Sequence, residues 1–284
     1  MNALEVRDLC KDYPQFHLEN VSFNLEYGSI MGFVGRNGAG KTTTLKCMYN
    51  LTKRKSGEIL FDGVDILDCE LEYKKAVGIS LGQFEFYQNK KIKDIAKIMS
   101  SFYEDWDESL YKEYMQKFSL DGNKTSKELS NGMKVKFSLT LALSHGAKIL
   151  IFDEPTSGLD PVSRDEILDI FEEIVSDGEH AVLFSTHVIS DLEKCADSIT
   201  YIKKGNINYT GSLKSFESKY LYYEFSDVIP QELQNHLIYY KERLNKVEGI
   251  GLSIEEINSD LVTLKRKATL EEMVIGIERG EENA

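Results

Sequence analysis

No apolar run among the 284 residues approaches the roughly 18 that a membrane-spanning helix requires. If the protein works at a membrane, another chain supplies the spans. Cysteine is sparse: Cys10, Cys47, Cys69 and Cys195 are widely spaced, and none forms a C-x-x-C pair. That spacing lacks a metal-ligand pair and fits reduced cytosolic thiols better than a disulfide framework. Positive charge is also short, with 34 Lys and Arg against 47 Asp and Glu, a net charge of -13. So acidic a chain argues against general binding to nucleic acid or to an anionic membrane surface, although a local basic patch stays open. Internal repeats and low-complexity segments are absent. The opening MNALEVRDL is polar and strand-like, so no secretory signal is expected. What remains is the composition of a soluble globular protein, long enough for one large or two small domains with a sizeable core.

Against that background one stretch is conspicuous. GRNGAGKTT, Gly35 to Thr43, follows the short apolar run SIMGFV, which reads as a buried strand, and precedes TTTLKCMYN, which reads as a helix start. It fits G-x-x-x-x-G-K-[ST], with Gly35, Gly40, Lys41 and Thr42 at the fixed positions. A triphosphate needs several backbone N–H groups aimed at its oxygens, and Gly35, Gly38 and Gly40 let the chain come that close. The N-terminus of the following helix adds unpaired N–H groups and a positive dipole end. Asn37 and Thr43 belong to the same loop. Lys41 is placed to reach the β- and γ-phosphates, and the Thr42 hydroxyl to ligate Mg²⁺.

The rest of the chain divides by pattern. ALEVRDL and FHLENVSFNLEYG read as antiparallel strands, joined by CKDYPQ, a turn carrying Tyr13 before Pro14. SGEILFDG reads as a strand closed by an Asp62-Gly63 turn, and KKAVGISLG ends in a strand with Gln83 just beyond. From about Lys90 to Leu120 the apolar residues take helical spacing. Ile92, Ile95, Ala96, Met99 and Phe102 form one stripe; Leu110, Tyr111, Tyr114, Met115 and Phe118 form another. Trp106, in the polar bend EDWDES, is expected to be a packing anchor. Ser130 and Asn131 then open an amphipathic helix. Downstream, AKILIFDE and AVLFSTH read as strands, each followed by a helix, and TYIKKGNINYTGS as a hairpin at Lys204-Gly205-Asn206. Strands alternating with helices predict a parallel sheet covered on both faces. From about Lys219 the pattern changes again: LYYEF and DLVTLKRK read as strands, and KATLEEMVIGIERG as a closing helix.

ILIFDEPTSGLDP is the second chemical signal. Its strand delivers Asp153 to the carboxyl edge of the sheet, where ligands bind in such folds. Asp153 is the expected Mg²⁺ partner, and Glu154 the candidate base that polarises an attacking water. Two acids after a strand also occur in solvated turns; the phosphate loop upstream in the same chain favours the functional reading.

Together GRNGAGKTT, LSNGM, ILIFDEPTSGLD and the His187 after AVLFST resemble the nucleotide-binding subunit of an ATP-binding-cassette transporter. The resemblance covers roughly the first 215 residues. It implies an α/β P-loop NTPase fold of that type: a mostly parallel sheet, an antiparallel β region and a helical subdomain at about 84–145. The cassette is then expected over 1–218, with a small C-terminal α+β appendage over 219–284. LSNGM is similar to the family signature, usually LSGGQ, with Asn131 and Met133 as departures and Ser130 and Gly132 kept. The resemblance implies head-to-tail pairing, as a homodimer or a heterodimer, with each ATP between one chain's phosphate loop and the other's Ser130 and Gly132. By the same resemblance Asp160 crosses between the two sites, and His187 contacts the γ-phosphate and orients Glu154. Gln83 contacts Mg²⁺ and water, and Tyr13 stacks on adenine.

The expectation is therefore an ATP-binding and ATP-hydrolysing motor subunit, with ATP and Mg²⁺ as ligands and a separate membrane-spanning permease subunit as partner. No nucleic-acid partner is expected. It would sit at the inner face of the cell membrane, bound through that permease. The short tail and SNGMK resemble bacterial exporter-type subunits that move peptides, antibiotics or other amphiphiles. Phe84 and Phe86, beside Gln83, are candidate anchors for a cytoplasmic helix of the permease. Two rival readings stand beside this one. A soluble cassette ATPase acting on ribosomes or DNA is disfavoured by the single phosphate loop and the acidic charge. A non-hydrolysing regulatory cassette is disfavoured by Lys41, Glu154 and His187.

Overall fold

The computed structural model describes residues 1–81, 87–226, 229, 234–243, 246–252 and 262–280. Gln83, Phe84 and Phe86 lie outside the described residues. The chain divides into two compact units, Met1–Thr210 and Gly211–Ala284. No helix among the described residues is long and apolar enough to cross a membrane.

In the first unit, β1 (Asn2–Tyr13) and β2 (Phe16–Glu26) pair antiparallel. The pairing runs further than the sequence suggests. Lys11, Asp12 and Tyr13, expected in a turn, lie opposite Leu18, His17 and Phe16, so the turn shrinks to Pro14 and Gln15. A residue before proline is pushed toward extended backbone, which suits Tyr13 to a strand end. β3 (Ile30–Val34) is buried at every position and leads through the phosphate loop into α1 (Lys41–Met48). β4 (Ser56–Phe61) ends at the turn expected at Asp62-Gly63, and the short β5 (Val64–Asp65) pairs back on it. Both turn residues have positive φ, 47° and 83°, as a tight two-residue turn requires.

Next come α2 (Glu70–Ala76), β6 (Val77–Leu81), α3 (Ile92–Ser100) and α4 (Glu108–Lys117). A single 3-10 turn at Ser126–Glu128 precedes α5 (Asn131–Ser144). Ile92, Ile95 and Ala96 are buried as the spacing predicts, but Phe102 is 73% exposed. α3 ends at Ser100, so helical periodicity no longer positions Phe102. Trp106 is half-buried, its ring 5.7 Å from Tyr111 and its indole N–H donating to Glu108 at 3.2 Å. The unit continues with β7 (Ile149–Asp153), α6 (Pro161–Val175), β8 (Ala181–Thr186), α7 (Ile189–Cys195), β9 (Ser198–Lys203) and β10 (Asn206–Ser212). The last turn is tighter than expected: Lys204 and Gly205 make it, and Asn206 already belongs to β10.

Two sheets result. One has the order β2-β1-β4-β5; the other is β10-β9-β3-β8-β7-β6, parallel from β9 through β6. IMGFV, ILIFD and AVLFST are buried at every position, the signature of parallel strands covered on both faces. One face contributes Ile149, Ile151 and Leu183 to a core shared with Leu4, Val6 and Leu9 of β1 and Leu45 of α1. On the other, Phe152 and Phe184 meet Phe171 of α6, with centroids 5.3 and 5.7 Å apart. Each such side chain, fully buried, contributes about 1.5–3 kcal/mol. The register decides the site. Val34 lies opposite Thr186, and Asp153 opposite Ser185, so β3, β8 and β7 end at the same edge.

The second unit holds α8 (Leu213–Lys219), β11 (Tyr220–Phe225), β12 (Leu237–Arg243), β13 (Lys246–Leu252), β14 (Val262–Lys267) and α9 (Leu270–Arg279). Its antiparallel sheet has the order β12-β13-β11-β14. β11, β14 and the closing helix match the sequence expectation, and α9 opens on a capping box between Thr269 and Glu272. β12 and β13 were not anticipated. LIYYKER ends in charge and KVEGIGL carries two glycines, which weaken the strand signal.

Candidate nucleotide site

The phosphate loop is shaped by contacts that exclude side chains. A Cβ on Gly35 would lie 2.4 Å from the Ile202 carbonyl oxygen. At Gly40 the backbone has φ of 119°, and a Cβ would lie 2.7 Å from Leu18 and 2.9 Å from Phe16. Gly38, with φ of 83°, has open space around it; there the conformation, not crowding, favours glycine. Lys41 is buried at the start of α1, and its Nζ donates to the Gly35 carbonyl at 2.7 Å.

The acids from β7 meet this loop from below. Thr42 Oγ1 donates to Asp153 Oδ2 at 2.7 Å, and Ser185 donates to the other Asp153 oxygen. Glu154 stands one residue past the strand with φ of 54°, a left-handed conformation that costs about 1 kcal/mol or more in a non-glycine residue. Its N–H donates to Ser185 Oγ at 3.0 Å, which helps hold that conformation. The Glu154 carboxylate lies 3.3 Å from Lys41 Nζ and 2.5 Å from His187 Nδ1.

Above these groups opens a cleft of about 770 Å³. Of the residues singled out from sequence, Tyr13, Asn37, Gly38, Gly40, Lys41, Thr42, Thr43, Glu154 and His187 line it. Gly35 underlies the loop, and Asp153 is buried below Thr42. Tyr13 is 39% exposed, with Lys11 Nζ 5.2 Å from its ring centre. A glycine-rich loop at a helix N-terminus, a buried amine, a hydroxyl–carboxylate pair and a carboxylate–imidazole pair make a site for a nucleoside triphosphate.

Comparison with known proteins gives the same answer. A family model described as "ABC transporter" matches residues 18–157. The chain is 30% identical over 220 residues to the ABC transporter ATP-binding protein YtrB of Bacillus subtilis, covering 77% of this chain and 75% of that one. The chain belongs to the ABC transporter ATP-binding proteins. It is also 32% identical over 217 residues to the lantibiotic transport ATP-binding protein SrtF of Streptococcus pyogenes, with 74% of this chain and 92% of that one covered. The bacitracin transport ATP-binding protein BcrA of Bacillus licheniformis is 29% identical over 230 residues, covering 79% and 75%. Among solved structures, an ATP-binding subunit of an ABC transporter superposes with a TM-score of 0.68 at 26% identity, covering 76% of this chain and 92% of that one. A dimeric, post-hydrolysis ATP-binding cassette bound to ADP and phosphate shares the fold, with a TM-score of 0.65 at 20% identity and coverage of 74% and 98%.

The remaining predicted residues of this cassette lie elsewhere. Ser130 caps α5, its Oγ accepting from the Met133 N–H at 3.2 Å. Asp160 caps α6, accepting from the N–H groups of Val162 and Ser163 and from the Ser163 hydroxyl. The Ser163 hydroxyl, then its N–H, hold the Asp160 carboxyl below the usual range. Gly132 lies beside Ser163, and a Cβ there would meet that side chain at an ordinary 3.6 Å. None of these three lines the cleft above Lys41. Asn131 lines a smaller cavity of about 180 Å³ with Lys134, Asp153 and Glu154.

The donor set suits Mg²⁺. Thr42 and Asp153 present hard oxygens side by side, and Mg²⁺ takes one or two protein oxygens, with phosphate and water completing its shell. Among the described residues no cluster of three or more His, Cys, Asp or Glu forms a self-contained metal cage.

Supporting residues escaped the sequence reading. Ser185 bonds both Asp153 and the Glu154 backbone. Asp191 is fully buried, accepts from Thr156 Oγ1 at 2.6 Å, and pairs with Arg164. This network ties the loop after β7 to α6 and α7. A Ser in a strand and an Asp in a helix carry no local signal; only their long-range partners mark them.

Proposed function

We propose that this protein is the ATP-hydrolysing motor of a transporter whose membrane spans belong to a separate permease chain. The observation that carries the reading is the meeting of Lys41, Thr42, Asp153, Glu154 and His187 at one cleft edge. Lys41 and the loop N–H groups bind the β- and γ-phosphates. Thr42 and Asp153 hold Mg²⁺, whose charge offsets that of the phosphates. Glu154 accepts a proton from the attacking water, and His187 orients Glu154 while touching the γ-phosphate. Tyr13 stacks on the adenine. Gln83 is assigned to Mg²⁺ and water by the family resemblance.

Two cassettes, identical or not, would pair head to tail, each presenting Ser130 and Gly132 to its partner's nucleotide, with Asp160 between the sites. The lack of a side chain at Gly132 supports this, since packing within the chain does not require it. An incoming phosphate seeking the α5 N-terminus does. Closure driven by ATP and opening after hydrolysis then pull on the permease, placing the subunit at the inner face of the membrane. Phe84 and Phe86 are the proposed anchors for the permease helix.

For cargo we propose an exported peptide antibiotic or similar amphiphile, on the strength of the lantibiotic and bacitracin relatives. The test is purification from membranes of the native host, followed by reconstitution into vesicles. The subunit should come down with a multi-span chain, release phosphate with ATP and Mg²⁺, and drive movement of a lantibiotic or bacitracin. Co-purification with ribosomes and no membrane chain would reject the motor role. Phosphate release without movement of either peptide would reject the cargo alone.

A further inference from the structure

The sheet of the C-terminal unit has two unlike faces. One buries Tyr223, Phe225 and Val247 with Ile229 as a small core. On the other, the strand register aligns Arg266, Tyr222, Ile250 and Tyr239 in one row across all four strands. The next row on that face places Glu224, Glu248 and Lys241 side by side. α9 crosses this second face at Gly276, where a Cβ would lie 3.2 Å from Ile250. Beside that close approach is a cavity of about 280 Å³, between α9 and the sheet.

Its surfaces are chemically sorted. Tyr222 and Ile250 are buried, Tyr239 is half-buried, and Ile275 stands at the mouth, 41% exposed. Both lining carboxylates are already engaged. Glu248 lies 3.1 Å from Lys246, and Glu272 takes two bonds from Arg266, at 2.7 and 2.8 Å. That guanidinium lies 4.0 Å over the Tyr222 ring, closing one side. Lys241 has no carboxylate within ion-pair distance among the described residues. The Lys241 ammonium and the Arg279 guanidinium both line the cavity, in a chain whose net charge is -13.

We propose that this cavity binds a small carboxylic acid with a flat apolar body. The body would lie on Tyr222, Tyr239, Ile250 and Ile275, and the carboxylate would meet Lys241. Aromatic and aliphatic walls with a few placed polar groups are the usual make-up of a ligand pocket, and this volume suits one ring and a short chain. A cationic ligand finds its natural partners, Glu248 and Glu272, already neutralised. The site is separate from the nucleotide cleft and does not depend on the transport reading.

The test uses the full chain with ATP and Mg²⁺ present, titrated with phenylpropionate and, separately, with phenylpropylamine, which has a similar body and the opposite charge. Binding is followed by ligand-observed NMR and calorimetry. The acid should bind about tenfold or more tightly than the amine, as one charge-assisted contact provides. Lys241→Glu should weaken the acid by about tenfold or more. Ile275→Glu, at an exposed helix position that tolerates charge, should weaken it similarly; unchanged far-UV circular dichroism and unchanged urea unfolding of both full-length variants report that the C-terminal unit still folds. Equal affinity for acid and amine, acid binding that survives both substitutions, or no acid binding up to about 10 mM would each overturn the proposal.

Discussion

Lys41 Nζ lies 3.3 Å from Glu154 Oε1, while His187 Nδ1 holds Glu154 Oε2 at 2.5 Å. The carboxylate is thus caught between the phosphate-loop amine and the imidazole. Lys41 is only 6% exposed, so this ion pair is little screened by solvent. In the proposed mechanism a γ-phosphate entering the loop would compete for Lys41 and release one Glu154 oxygen toward water, while His187 would keep the other in place.

If Glu154 is the base, Glu154→Gln should keep ATP binding and lose turnover by about 10²-fold or more, because the phosphate contacts remain while the proton acceptor is gone. Steady-state phosphate release, set beside nucleotide affinity, measures both. Turnover within a factor of about two of the parent would remove Glu154 from that role.

Gly40 supports the loop by conformation and by space. Gly40→Ala adds a methyl at φ of 119°, where it collides with Leu18 and Phe16. We expect a loss of ~1–3 kcal/mol in stability and of measurable ATP binding. Chemical denaturation and nucleotide titration check the two effects separately.

Sites built from two chains predict rescue. Lys41→Ala chains and Ser130→Arg chains, each inactive alone, should recover part of the ATPase activity when mixed, since a mixed dimer can form one intact site. Activity that stays at background at every mixing ratio argues against composite sites with independent turnover.

The buried Asp191 should matter for stability. Asp191→Ala strands Arg164 and the Thr156 hydroxyl, and a loss of ~2–4 kcal/mol is expected from breaking a buried charge network. Urea unfolding at neutral pH reads this directly. A change within about 0.5 kcal/mol, typical of surface substitutions, would show the network to be energetically idle.

His145 predicts a pH dependence. It is buried at the end of α5, stacked on Tyr103 with ring centres 4.1 Å apart, and its Nδ1 has no hydrogen-bond partner. Burial depresses its proton affinity; backbone contacts at His145 and Lys75 oppose that shift without cancelling it. The unfolded chain therefore takes up a proton that the folded chain resists. This contribution to stability is full above the ordinary histidine value and falls as pH drops from there toward the folded value, by at most about 1.4 kcal/mol per pH unit. His145→Phe, which keeps a ring against Tyr103, should flatten that part of the stability profile between neutral pH and pH ~5.5. Parallel profiles for the two proteins would assign the loss to other groups.

What the sequence determined alone was the chemistry carried by contiguous residues. GRNGAGKTT and ILIFDEPTSGLD declare themselves because a phosphate loop, and a strand tip bearing adjacent acids, are local geometries. Their glycines, lysine, threonine and carboxylates must follow one another in fixed order. The parallel sheet was legible for a related reason, since IMGFV, ILIFD and AVLFST are too apolar for any strand with a wet face. Tertiary structure decided everything that depends on register and long-range pairing. It made Tyr13 a strand end opposite Phe16, because pairing with β2 outweighs the turn character of the residues before Pro14. It exposed Phe102, because α3 stops before the apolar stripe does. It added β12 and β13, whose charges and glycines are tolerated once cross-strand partners are available. It set Ser185 against Asp153 and Glu154, because the alignment of β3, β8 and β7 decides which strand ends meet at one edge, and it joined Thr156 and Arg164 to Asp191. No pattern of neighbours along the chain encodes that meeting, because the bonds that stabilise it join residues far apart in sequence.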